Sequence, residues 1–148
     1  MAKVQDRDYP EHLYYDIDNQ IWYEPLADGT IRVGMTPLAV ALAGEILVFT
    51  PKRIGRVFEK DRSLAVLEGG KWVGALHSAF EGVVVSSNDA LVDRPALLDE
   101  DAFGRGWMLT VRPVHADWRA GLVTGDAIAP AFAGWITAEA YKERGAQK

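Results

Sequence analysis

The sequence predicts a mainly β fold, a small barrel or sandwich. Three observations predict it. Short apolar runs rich in Val, Ile, Tyr and Trp recur along the chain, glycine-bearing turns punctuate them, and the strand–helix alternation of a parallel sheet is missing. A chain of 148 residues is the size of one domain and is long enough to bury a core, so residues 1–148 read as a single unit.

Residues 1 to 12 are polar and read as a loose N-terminal arm. From Leu13, LYYDIDNQIWYEPLADGTIRVGM reads as strand, strand, turn, strand, with Asp28-Gly29 as the hairpin signal. TPLAVALAG then predicts a short helix, with Thr36 as N-cap, Pro37 in the first helical position and Gly44 as the stop. EILVFT returns to strand and PKRIG turns the chain. RSLAVLE and WVGAL form two arms around Gly69-Gly70-Lys71, and GVVVSS follows. Asn88 to Asp101 reads as a polar, proline-bearing link, and GWMLTVRP as a last strand. The remainder, 114–148, reads as a helical extension in two pieces, HADWRAGLV and TAEAYKERG, with Thr137 capping the second.

Composition excludes several function classes. A net charge of −5 argues against a sequence-independent nucleic-acid binder. No run approaches the roughly 18 apolar residues of a membrane span, and the start lacks the apolar stretch of a signal peptide, so the expected location is cytoplasmic. Zero cysteines remove disulfides, cysteine–metal sites and thiol nucleophiles from the protein's own chemistry. The three histidines, His12, His77 and His115, are too scattered for a metal site, and His77 reads as a partly buried strand residue.

EGGKW and FGRGW lack the spacing of phosphate loops, and no serine has a histidine partner by motif, so no catalytic residue is assigned. Asp99-Glu100-Asp101 reads as solvated loop charge rather than an acid–base pair. PKRIGRVFEKDR carries five basic residues in twelve, and Lys52, Arg53 and Arg56 form a candidate docking surface for an acidic partner, or else a solvated turn. Trp107 and Trp118 read as core; Trp72, next to a turn, reads as partly exposed.

Lys71 has two readings. A lysine at a hairpin tip keeps its ammonium in water and needs no further role. Held in place by two strands, with glycines keeping its surroundings open, it is also reachable by a modifying enzyme.

DGTIRVGMT, LAGEILVFTPKRIG, LEGGK, EGVVVSSNDAL, RPALLDED and FGRGW occur here in the order and spacing of one family, over roughly residues 13 to 113. In these pieces the chain resembles the H protein of the glycine cleavage system. The resemblance implies a barrel-sandwich hybrid fold and a carrier that is not itself an enzyme. It also implies lipoic acid held through an amide on Lys71, with Glu68 three residues before it and Gly82 eleven residues after it. The lipoyl dithiolane would then supply the thiols that the chain lacks. The implied partners are lipoate-attaching enzymes and dihydrolipoyl dehydrogenase, with neither nucleic acid nor membrane among them.

Around the lysine the chain reads Glu68-Gly69-Gly70-Lys71-Trp72, where H proteins typically read E-S-V-K-A, and Ala79 stands where a proline is usual. These features, with HLYYDIDNQIWYEPL at the start, are similar to the H-protein-like lipoate-binding proteins of the heterodisulfide-reductase-like sulfur oxidation pathway. That second resemblance implies an arm carrying sulfur intermediates for the oxidation of reduced sulfur compounds in the cytoplasm. The alternatives are aminomethyl carriage in glycine cleavage and, from another class, an unmodified protein-interaction module.

Overall fold

A computed structural model of the chain describes residues 2–70 and 72–146, with side chains through Glu139. The chain opens with β1 (Ala2–Val4), β2 (Arg7–Tyr9), β3 (Tyr14–Asp16), β4 (Ile21–Pro25) and β5 (Ile31–Met35), followed by α1 (Pro37–Ala43). The middle holds β6 (Ile46–Pro51), β7 (Val57–Phe58), β8 (Ser63–Gly69), β9 (Val73–His77) and β10 (Gly82–Ser87). Helices α2 (Asp89–Asp93) and α3 (Leu97–Glu100) lead to β11 (Leu109–Pro113), and α4 (Ile128–Ala146) closes the described chain.

One sheet runs β3-β4-β5-β11-β10-β7 and a second runs β6-β8-β9. Tyr23, Ile31, Val33, Val84, Leu109 and Val111 from the first meet Phe49, Leu64, Leu67 and Leu76 from the second in one buried cluster. This is the mainly β sandwich that the strand texture predicts.

In β4 the polar alternation disappears, because Ile21, Trp22 and Tyr23 are all buried. Ile21 and Tyr23 enter the sandwich, while Trp22 points to a second cluster with Tyr9, Tyr15, Ile128 and Phe132. The sheet is therefore covered on both faces, the outer one by the N-terminal hairpin and α4. Trp22 fits because Gly34, opposite it on β5, has no side chain; a Cβ there would lie 2.3 Å from the indole Cζ2. The indole N–H donates to the Ala102 carbonyl at 3.1 Å.

Helix α1 forms as its signals predict. The Thr36 hydroxyl accepts the Ala39 N–H at 3.2 Å, Pro37 opens the first turn, and Gly44 ends the helix at φ +75°. The Leu38 N–H, another donor at the same end, goes to the Tyr9 hydroxyl oxygen at 3.0 Å.

Three expectations are corrected. Residues 1 to 12 are not a loose arm, since β1 and β2 pair antiparallel and Ala2, Val4 and Tyr9 are buried. Their turn uses Gln5 and Asp6 at φ +49° and +65°, a left-handed pair usually signalled by Asn or Gly. The link from Asn88 to Asp101 is not loop throughout but contains α2 and α3, which bury Leu91, Leu97 and Leu98. The C-terminal extension holds one α-helix rather than two. Residues 115–122 run through turns broken by Gly121 at φ +82°, Trp118 packs edge-on against Tyr14 and Phe80, and Val123 bridges to Tyr15. Thr137 is no cap, because it lies inside α4 with its hydroxyl on the Ala133 carbonyl at 3.0 Å.

Burial raises the pKa of the Tyr9, Tyr15 and Tyr23 hydroxyls above the ordinary tyrosine value, most for Tyr15 and Tyr23. In the unfolded chain each ionises near the ordinary tyrosine value of about 10. Their contribution to stability is therefore intact below pH about 10 and is lost as pH rises further toward the folded values. An alkaline titration should show the unfolding midpoint falling from that pH upward, with the tyrosinate absorbance of these three rings appearing only as the fold is lost.

Candidate functional site

The β8–β9 hairpin builds the site. Leu67 pairs with Gly74 and Glu68 with Val73, and the Gly69 N–H donates to the Trp72 carbonyl at 2.7 Å. Only Gly70 and Lys71 remain in the sequence to join Gly69 to Trp72, the loop length of the tightest hairpins. Lys71 itself lies outside the described residues.

The two glycines do different work, which corrects the expectation that both keep the turn open. Around Gly70 there is open space within 4 Å, so nothing crowds that side of the turn. Gly69 is closed in, because a Cβ there would lie 2.6 Å from the Glu45 carbonyl oxygen where β6 begins. Gly69 thus lets the hairpin end press against the segment that enters β6, fixing where the turn stands.

Trp72 is 37% exposed, as its place beside the turn predicts. Its indole folds back over Gly74, where a Cβ would lie 2.2 Å from Cζ2. In that position it helps wall a groove of about 200 Å³ with Met35, Leu42 and Ala43 on one side and Trp135 of α4 on another. Gln20 also lines it, but its amide is engaged by the Ile17 carbonyl and the Thr36 hydroxyl, and among the described residues no carboxylate lines this groove. On the far side of α1 lies a second groove, of about 440 Å³, bounded by Ile46, Pro95 and Leu98 and carrying Glu45 and Asp99. The β8–β9 turn therefore has an indole-walled groove beginning at Trp72 and a carboxylate-bearing one beginning at Glu45.

Glu68 is exposed on β8 one residue before Gly69, beside the turn as expected. Gly82 is not brought there. It pairs with Phe58 and Pro113 in the other sheet, where a Cβ would lie 2.7 Å from the Arg112 carbonyl oxygen and 2.8 Å from the Phe58 ring. Its role is close packing of β10, not contact with the turn. Lys52, Arg53 and Arg56 stand at the opposite end of the β6–β8 ladder. His77 is exposed on β9 rather than partly buried, since Leu76 takes the inward position and leaves its neighbour outside. His12 and His115 face Glu24 and Glu81 at 3.3 and 3.2 Å on the surface. Among the described residues no group of three His, Cys, Asp or Glu could hold a metal.

Asp99 and Glu100 end α3, where Glu100 pairs with Arg94, and Asp101 accepts the Arg105 N–H at 2.9 Å. Nothing in the sequence singles out Glu45, which meets Gly69, or Met35 and Trp135, which share the groove with Trp72; tertiary packing alone brings them there. The pair Trp72-x-Gly74 is legible in hindsight, because residues two apart on a strand share a face and glycine there leaves room for an indole.

The turn has open space on the Gly70 side and an apolar groove on the Trp72 side. These surroundings fit a long, uncharged acyl arm. No helix among the described residues is long and apolar enough to cross a membrane.

Comparisons with known proteins agree on one family. The profile described as Glycine cleavage H-protein matches residues 13–133. "Glycine cleavage system H protein 5" of Aquifex aeolicus is 40% identical over 121 residues, covering 79% of this chain and 81% of the relative. "Glycine cleavage system H protein 2" of the same organism is 41% identical over 118 residues, covering 79% and 73%. A crystal structure of a glycine cleavage system H protein from Mycobacterium marinum superposes with a TM-score of 0.72 at 29% identity, covering 85% of this chain and 97% of that one. Members of this family are carriers rather than enzymes, hold a lipoyl group covalently on a lysine, and work with lipoate-attaching enzymes and others such as a dehydrogenase. Fold, hairpin and matched span together place the chain in the glycine cleavage H-protein family.

Proposed function

We propose that Lys71 is the lipoyl-bearing residue and that the chain passes the arm's cargo between partner enzymes. The observation that carries this is the hairpin, in which the bond from Gly69 to Trp72 leaves only Gly70 and Lys71 to make the turn, with open space around Gly70. When bound, the lipoyl group supplies a disulfide–dithiol pair that a chain with zero cysteines lacks. The protein's own residues fix the tether point, through Gly69 against Glu45, and offer grooves on either side of α1. A tethered arm presents its cargo to a docked enzyme at raised effective concentration.

The cargo best supported is the aminomethyl group of glycine cleavage. The names of the relatives support it, and so does the groove bearing Glu45 and Asp99, whose carboxylates suit a protonated amine. A second reading is favoured by one observation: the groove beginning at Trp72 has two indole walls and, among the described residues, no carboxylate. That suits an uncharged arm and the carriage of sulfur intermediates to a heterodisulfide-reductase-like complex. The relatives 2, 3 and 5 of a single organism also leave room for members with divided roles.

The test offers the lipoylated chain in its oxidised, disulfide form to glycine decarboxylase with glycine and follows intact mass. Loss of CO2 leaves an aminomethyl group that opens the disulfide, loading one sulfur and freeing the other as a thiol. Glycine cleavage predicts the added mass of an aminomethyl group on the carrier. A carrier that stays unloaded there yet accepts sulfur from heterodisulfide-reductase-like components overturns the first cargo in favour of the second. Partner binding indifferent to Lys71→Arg and to lipoylation, with no loading at all, would instead favour an unmodified interaction module.

A further inference from the structure

The turn that follows β6 has a shape and charge that attachment at Lys71 does not use. The Arg56 N–H donates to the Arg53 carbonyl at 3.1 Å, and Gly55, third of the four residues, sits at φ +86°. That is a type II turn, which places Ile54 at its corner. Ile54 is 64% exposed and Val57 is 62% exposed. Among the described residues none of Lys52, Arg53 and Arg56 makes an ion pair. Five basic residues between 51 and 62 stand against only Glu59 and Asp61, in a chain of net charge −5.

The turn is also held from both sheets. The Lys52 N–H donates to the Leu64 carbonyl at 2.8 Å, the Gly55 N–H to the Val84 carbonyl at 2.8 Å, and the Val84 N–H to the Arg56 carbonyl at 3.0 Å. A partner that grips it does not have to order it first, which removes one of the usual costs of association.

We propose that residues 52–57 are a preformed docking knob for a protein surface that offers an apolar pocket ringed by carboxylates. Ile54 and Val57 would fill the pocket, and Lys52, Arg53 and Arg56 would face the ring. Charge complementarity selects this occupant, since the knob is the basic exception on an acidic chain and would lead it onto an acidic surface. A nucleic-acid backbone would leave Ile54 in water and repel the rest of the chain, and an anionic bilayer would repel it likewise.

Position gives the knob its use. β6 and β8 pair from Ile46–Gly69 at one end to Pro51–Ala65 at the other. At about 3.3 Å per residue the knob stands roughly 15 Å from the Gly69 end. That exceeds the screening length of about 8 Å at physiological ionic strength. Charges at the knob would therefore be largely screened from whether Lys71 is charged or acylated. This last clause rests on Lys71 being the attachment residue.

The test uses the full ¹⁵N-labelled chain, unmodified and lipoylated, titrated with the acetylated, amidated peptide Glu-Glu-Leu-Leu-Glu-Glu and with its Gln-for-Glu counterpart. The expected result is saturable amide shifts clustered on residues 52–58, the same in both forms of the carrier and absent with the Gln peptide. The double variant Arg53→Glu/Arg56→Glu should weaken binding about tenfold or more. Ile54→Ser, at an exposed corner that the fold does not need, should weaken it while leaving the remaining spectrum unchanged. No saturable shifts, shifts centred on the Lys71 turn, or stronger engagement of residues 52–58 by phosphatidylserine vesicles or polyuridylate would overturn the proposal. The mass of the lipoylated chain reports on Lys71 separately, so failure of the knob and failure of the attachment reading are distinguishable.

Discussion

Trp22→Ala should lower the unfolding free energy by about 3–5 kcal/mol, as for other fully buried large aromatics. Trp22 is 0% exposed and sits where the sandwich sheet meets the layer formed by the N-terminal hairpin and α4. Its removal opens a cavity against Phe103 and strands the Ala102 carbonyl that the indole N–H satisfies. Gly34→Ala tests the same packing from the opposite side. The new methyl carbon would overlap the indole at 2.3 Å, and overpacking of this kind costs about 1–3 kcal/mol. Denaturant melts with unchanged m-values would report both. A shift of less than about 0.5 kcal/mol in Trp22→Ala, the range of an ordinary surface change, would mean that the outer layer is not packed as described.

Gly69→Ala and Gly70→Ala should part company, although the residues are neighbours in the same turn. At Gly69 the methyl meets a backbone carbonyl, Glu45 O at 2.6 Å, which cannot rotate away as a side chain can. The hairpin end or the start of β6 must shift, at about 1–3 kcal/mol, and the displaced turn should be lipoylated several-fold more slowly by a purified ligase. At Gly70 the methyl meets open space, and stability should change by less than about 0.5 kcal/mol. Equal loading of both variants would show that the Glu45 contact does not position the turn.

The elements legible in the sequence are those whose signals are local. Asp28-Gly29, Thr36-Pro37 with Gly44, and the Val- and Ile-rich runs of β5, β6 and β10 each form as their own residues dictate. The N-terminal hairpin was not legible, because its turn places Gln5 and Asp6 in a conformation that neither residue type advertises and its apolar residues are few. Residues 115–122 have helical spacing, but the bridge from Val123 to Tyr15 and the burial of Trp118 outweigh local preference. At the site, the lysine and its hairpin could be read from Gly69-Gly70-Lys71-Trp72. The grooves could not, since each is assembled from segments distant in sequence: Met35, Trp72 and Trp135 for one, Glu45 and Asp99 for the other. Gly82 shows the converse, a position set by motif spacing whose place in the fold is packing against Phe58.

The central claim is tested most directly by peptide mapping of the chain after exposure to a lipoate-attaching enzyme, alongside Lys71→Arg. The account predicts one lipoyl group per chain, found on the peptide that contains Lys71. It predicts none on Lys71→Arg, whose guanidinium does not form the amide and whose melting curve should match that of the parent. A lipoyl group mapped to another lysine, or a Lys71→Arg chain that still loads, would contradict it.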